Sequence, residues 1–192
     1  MIRPDATFDG EARDYRRYDR AFEETERFPP SAELRFVETD GRIRLSIDGV
    51  AVGDGLSDAR IAADGYRFHD ALHVALAVRL GWSPVLRAMI GRKRRSNQCI
   101  DECEDGGRAR MVEEAVCHVI FVHRLDVAEP YGRRRLIALI KRMVEGFEVE
   151  RAGASEWSEA IDAGLKAMAA LAASGGGGLH ADFKNGRLIQ VA

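Results

Sequence analysis

Two histidines and a carboxylate fall within about one helical turn in the stretch Tyr66-Arg67-Phe68-His69-Asp70-Ala71-Leu72-His73, just ahead of an apolar run. On a helix His69 and His73 share a face, with Asp70 one turn before His73, so the three can hold a metal ion or a phosphate oxygen. The plain alternative is a pair of hydrogen-bonded core histidines. His69-Asp70-Ala71-Leu72-His73 matches the zinc-protease helix with Asp in the Glu position. Asp is one methylene shorter, would hold an attacking water at a different reach, and has no third ligand at a recognisable spacing. An HD-type phosphohydrolase needs a histidine upstream of the His-Asp pair. The histidines are His69, His73, His118, His123 and His180, and none lies upstream.

A second group of reactive types follows. If residues 98–126 form one helical stretch, about 100° per residue returns Glu102 and Glu113 to nearly one face, with Asp105 beside them. Stacked carboxylates repel unless a cation or basic partners neutralise them, and oxygen-only ligands favour Mg²⁺ or Mn²⁺. Asp101, Glu104 and Glu114 point elsewhere on an ideal helix. Gly106-Gly107 interrupts the stretch and can shift this phase. The competing reading pairs the acids with Arg108 and Arg110 on a solvated face. Between the histidines and the acids runs Gly91-Arg92-Lys93-Arg94-Arg95-Ser96. Adjacent cations near carboxylates suit a triphosphate; alone the run reads as a solvated linker. Cys99, Cys103 and Cys117 match no zinc spacing and read as free thiols. Tyr66 or Phe68 can stack a base, with core packing as the other role.

The elements that must position these residues follow from period and punctuation. Residues 33–48 alternate on both sides of Asp40-Gly41, which predicts a β-hairpin. Residues 49–65, rich in Gly and Asp, read as a loop. Helical spacing runs from 66 to Gly81, and Ser83-Pro84 caps a short helix to about Ile90. Further helices are expected over 98–126, 133–149 and 155–173, the last opened by Ser155 with Glu156 and Glu159 in its first turn. The glycines 175–178 read as a linker, and Asn185-Gly186 splits a second hairpin over 179–192. Residues 9–27 suit a polar helix ended by Pro29-Pro30, making 1–28 an N-terminal helical extension. The expected fold is a single, mainly α domain: a bundle of about five helices over 66–173 with a hairpin at each end.

With 192 residues, 46% hydrophobic and 31% charged, the chain can build a sizeable core unaided. A formal net charge of −2 argues against a general nucleic-acid binder. No apolar run approaches the roughly 20 residues that cross a bilayer. An odd number of cysteines and an opening without a signal-peptide profile predict reduced thiols and a cytoplasmic location.

The blocks GDGLSDARIAADGYRFHDALHVALAVRLGWSPVLRAMIGRKRRS, IDECEDGGRARMVEEAV and VEGFEVERAGASEWSEAIDAG, in that order, resemble the domain found C-terminal to MazG-type nucleotide pyrophosphohydrolase domains. The similarity runs from about Phe28 to the C-terminus and is strongest from Gly53 to Glu114. It implies a mostly helical domain linked to the all-α nucleoside triphosphate pyrophosphohydrolases, which hold Mg²⁺ on helix carboxylates, cleave a triphosphate to monophosphate and pyrophosphate, and commonly form oligomers. The characteristic polar positions correspond to His69, Asp70, His73, Arg92, Lys93, Arg94, Ser96, Asp101, Glu102, Asp105, Arg108, Glu113 and Glu114. The chain departs from the enzymes' two carboxylate pairs, having Glu102-x-x-Asp105 and the Glu113-Glu114 step alone, and about 28 preceding residues cannot house their catalytic domain.

Two expectations result. In the first, the chain is a Mg²⁺- or Mn²⁺-dependent nucleotide pyrophosphohydrolase. Glu102, Asp105 and Glu113 hold the metal, Arg92, Lys93, Arg94 and Arg108 bind phosphates, and Asp70, His69, His73 and Glu113 are the catalytic candidates. In the second, it is a non-catalytic nucleotide-binding or oligomerisation module. The expected partners are a nucleotide or another phosphorylated small molecule and a second copy of the chain, with no membrane and no nucleic acid.

Overall fold

A computed structural model of the chain describes residues 18–61 and 63–191. Strands β1 (Ser31–Thr39) and β2 (Arg42–Ile47) form the expected hairpin. Asp40 and Gly41 turn it with φ of 53° and 74°, the left-handed pair whose twist matches the flanking strands. Asp48 and Gly49 repeat the device at 49° and 81° and launch β3 (Val50–Leu56) antiparallel to β2. The loop expected over 49–65 is therefore a strand in its first half. Its pattern is too exposed and too rich in glycine to alternate; the turn and the ladder to β2 hold it at the sheet edge.

The C-terminal hairpin is β4 (Gly177–Asp182) and β5 (Arg187–Val191). β4 pairs with β1 from Ser31 opposite Asp182 to Phe36 opposite Gly177, merging both hairpins into one antiparallel sheet in the order β3-β2-β1-β4-β5. The glycines expected as a linker sit inside this junction. A Cβ on Gly176, at φ 135°, would lie 2.5 Å from the Phe36 carbonyl oxygen, so only glycine lets the chain pass that close to β1.

Between the hairpins, the described residues form α1 (Asp70–Leu80), α2 (Pro84–Met89), α3 (Gln98–Cys103), α4 (Gly107–Val122), α5 (Pro130–Met143) and α6 (Ala154–Ser174). The helical bundle flanked by hairpins is as expected. The whole is a mixed α/β fold, so the all-α description of the related pyrophosphohydrolases does not extend to it. Ser83 caps α2 by accepting from the Leu86 N–H, with Pro84 in the first turn, as its sequence predicts. Gly153, not Ser155, caps α6, and its N–H donates to Glu156 Oε2 at 2.7 Å.

The helical stretch expected over 98–126, with its interruption at Gly106-Gly107, is divided into α3 and α4. The chain leaves helical geometry after α3 and re-enters at Gly107, and a Cβ on Gly106 would overlap the Glu102 carbonyl oxygen. Of the helix expected over 9–27, residues 9–17 lie outside the described residues, and residues 18–27 do not form an α-helix. From Tyr18 the chain runs through turns and a 3-10 segment at Glu24–Glu26.

α1 is the central element. All eleven of its residues are buried, between α6, α4 and the strands β4 and β5, so its polar side chains are placed in the interior whatever they do. A backbone contact fixes it against α6: a Cβ on Gly164 would lie 2.7 Å from Leu72 Cδ2 and 3.2 Å from Ala75 Cβ. Gly164→Ala is therefore expected to destabilise the fold by about 1–3 kcal/mol through overpacking, read as a lower urea midpoint at unchanged slope. Among the described residues no helix is long and apolar enough to cross a membrane.

Candidate functional site

Gly65, at φ 83°, turns the chain into a 3-10 segment, Tyr66–Phe68, that delivers His69 and Asp70 to the N-terminal end of α1. α4 lies across this end and brings Glu113 and Glu114. As neighbours on one helix, the two carboxylates point about 100° apart, and they flank the His73 ring from opposite sides. Glu113 Oε1 is 2.7 Å from His73 Nδ1, and Glu114 Oε2 is 3.4 Å from His73 Nε2.

Glu113 itself is fully buried and saturated. Oε1 also accepts from the Ser83 hydroxyl at 2.5 Å, and Oε2 accepts from the Val85 N–H at 2.7 Å.

The tautomers follow from the acceptors. His69 Nδ1 is 3.0 Å from the Tyr66 carbonyl oxygen, which can only accept, so Nδ1 carries the hydrogen and Nε2 keeps a lone pair. His73 Nδ1 likewise donates to Glu113. His73 Nε2 has no hydrogen-bond partner although the ring is 1% exposed. His69 Nε2 lies 3.8 Å from both Asp70 Oδ1 and Glu114 Oε2. Ligand atoms of His69, Asp70 and His73 all stand within 4.8 Å of one another. A second group, His73, Glu113 and Cys117, meets the same distance but is wholly buried. Its Nδ1 and its carboxylate are already hydrogen-bonded to each other.

Burial pushes the His69 imidazole below its ordinary range against the pull of Asp70, and pushes the Asp70 carboxyl up against the pull of His69 and His73. Burial also opposes charge on His73, but Cys117 and Glu113 more than offset it and hold that ring well above the ordinary histidine value. Burial raises the Cys117 thiol. Attraction to His73 takes the Glu114 carboxyl below its usual range, over the opposing effect of its burial.

The other expected site residues lie elsewhere. Glu102 is exposed on α3, and neither Glu102 nor Asp105 belongs to a metal-sized group among the described residues. Asp105 is fully buried, and its two oxygens accept from Arg94 Nη2 at 2.7 Å and from Arg94 Nε at 3.1 Å. The break at Gly106 removed the helical phase that placed Asp105 beside Glu113.

Arg94 also donates to Glu148 twice at 2.8 Å. Burial works against its charge, yet the hydrogen bonds to Asp105 and Glu148 raise its pKa. Arg87 pairs with Asp19 at 2.9 Å and meets this interior network at Asp105 Oδ1, 3.9 Å away. Lys93 pairs with Asp101 at 2.5 Å, Arg92 donates to the Glu24 carbonyl, and Arg108 lies over the Phe147 ring. The cations expected to bind phosphate thus have protein partners, and Arg94 is inside the core.

Tyr66 stacks on His69 at 4.2 Å and meets Phe121 edge-on at 4.9 Å. Beyond Phe121 opens a cavity of about 300 Å³, walled by Gly65, Phe121, Leu165 and Met168, with Asp64 and Arg124 as its charged groups.

The sequence reading set Glu114 aside because an ideal helix through residue 98 turned it away from Glu102. The adjacent acids were the available signal, since two such residues can grip one ring. No curated protein and no solved structure matches the chain. Residues 13–192 match the model of the MazG C-terminal domain, and the chain belongs to that family.

Proposed function

We propose that this domain hydrolyses a phosphoric anhydride bond of a nucleotide, converting a nucleoside triphosphate to the monophosphate and pyrophosphate in a reaction that depends on a divalent cation. The observation that carries this reading is the group His69, Asp70 and His73 on a buried helix, whose ligand atoms lie within 4.8 Å of one another, with Glu114 Oε2 3.8 Å and 3.4 Å from the two Nε2 atoms. Family membership supports a nucleotide as the substrate. When bound, the cation supplies charge neutralisation for phosphate oxygens and for an attacking water.

The chain's own residues supply the rest. Asp70, with its carboxyl raised by burial, lies 3.8 Å from His69 Nε2, where it can accept the proton of an attacking water. Glu113 fixes the plane and tautomer of His73, and the Tyr66 carbonyl does so for His69. The apolar cavity beyond Phe121 is of a size and chemistry that suit a base.

Pyrophosphate release from the four common ribonucleoside triphosphates with Mg²⁺ or Mn²⁺, abolished by a chelator, is the expected result. Nucleotide binding without release from any of them overturns hydrolysis and leaves the binding module.

A further inference from the structure

The cluster contains nitrogen as well as oxygen donors, and that decides the kind of ion it takes. We propose that the resident ion is a first-row transition dication of the Zn²⁺, Fe²⁺ or Mn²⁺ class and not Mg²⁺, held by His69 Nε2, His73 Nε2 and Glu114, with its remaining position open to the water that Asp70 faces. This rests on the reading above that the cluster is a cation site and names the class of ion.

Three features support it. Both rings donate from Nδ1, His69 to a carbonyl and His73 to a carboxylate, which is how metal-binding histidines are held with Nε2 outward. His73 Nε2 is buried, is aimed into the cluster and makes no hydrogen bond, with Glu114 Oε2 3.4 Å away, so an ion bound between them would satisfy both atoms. The spacing also fits. Ligand atoms 2.0–2.1 Å from a tetrahedral ion stand about 3.4 Å apart; Glu114 Oε2 stands 3.4 Å from His73 Nε2 and 3.8 Å from His69 Nε2, and ligand atoms of His69 and His73 lie within 4.8 Å of one another.

Mg²⁺ fits poorly, because it prefers octahedral oxygen ligands and retains its waters, whereas imidazole selects borderline transition ions. The oxygen-only set of Glu102, Asp105 and Glu113 offers no substitute, since Arg94 occupies Asp105 and Ser83, Val85 and His73 occupy Glu113.

The test uses the full chain, stripped of metal and titrated with Zn²⁺ and Mg²⁺ by calorimetry, with ¹⁵N spectra of the histidine rings. One Zn²⁺ per chain is expected, bound at least about 100-fold more tightly than Mg²⁺, with Nε2 of both His69 and His73 shifting and both Nδ1 staying protonated. Glu113→Gln changes a positioning residue and is expected to weaken Zn²⁺ about 10–100-fold. His69→Asn, which leaves the Glu113 hydrogen bonds intact, is expected to lose the site at an unchanged unfolding midpoint.

Should either variant fail to fold, the wild-type ring shifts alone decide. Equal affinity for Mg²⁺ and Zn²⁺ overturns the ion class while leaving cation-dependent hydrolysis standing. Zn²⁺ binding that does not move the Nε2 signals overturns the ligand set. Absence of any bound ion overturns both this proposal and the cation dependence above.

Discussion

Asp70→Asn is expected to lower pyrophosphate release by a factor on the order of 10²–10⁴, the range for removing a general base, while leaving the unfolding midpoint nearly unchanged. The substitution keeps the shape of the side chain at the start of α1 and removes its charge and basicity. Asp70 is suited to such a test because it faces His69 at 3.8 Å and is not part of the hydrogen-bond set that ties α1, α2 and α4 together. A structural role would show as a shifted midpoint with activity following in proportion. A catalytic role shows as lost turnover in a protein that still melts normally and still binds nucleotide. A loss of less than tenfold in kcat/KM would remove Asp70 from the chemistry.

Arg94→Met is expected to cost about 3–5 kcal/mol of stability, because it strands Asp105 as an uncompensated buried charge. Arg94 and Asp105 are 1% and 0% exposed and share two hydrogen bonds, with a further one from the Arg94 backbone N–H to Asp105 Oδ2 at 2.7 Å. Arg94→Lys is expected to recover little, since an ammonium cannot reach Asp105 and Glu148 with the two edges of one planar fork. The double change Arg94→Met with Asp105→Leu should be milder than Arg94→Met alone, because apolar replacement of a buried pair is often close to neutral. Urea unfolding of the four proteins measures all three statements. A single-variant loss under about 1 kcal/mol would place the pair in the class of exposed salt bridges.

These two tests mark where the sequence was legible and where it was not. Period and turn chemistry are local, so the two hairpins, the Ser83-Pro84 cap and the helical run after Tyr66 could be read residue by residue. β3 was missed although Asp48-Gly49 carries the same turn signal as Asp40-Gly41, because an edge strand with little buried surface lacks alternation.

The candidate site divides the same way. His69, Asp70 and His73 are neighbours on one helix, and their grouping needed only helical geometry. The partnership of Arg94 with Asp105 depends on how the chain folds back at Gly106, and no spacing rule carries across such a break. A run of cations therefore looked like a phosphate site although one of its members closes a charge network in the core.

Glu113 has a consequence beyond tautomer control. Its carboxylate binds α1 through His73, the start of α2 through Ser83 and Val85, and its own helix α4, with sequence separations of 40, 30 and 28 residues. Contacts so distant in sequence form only when the three helices have docked. The site therefore has no half-assembled form. Opening α4 would cancel the ring orientation and release the first turn of α2 in one cooperative step, so the amides around the cluster should exchange through the same large-scale unfolding as the core.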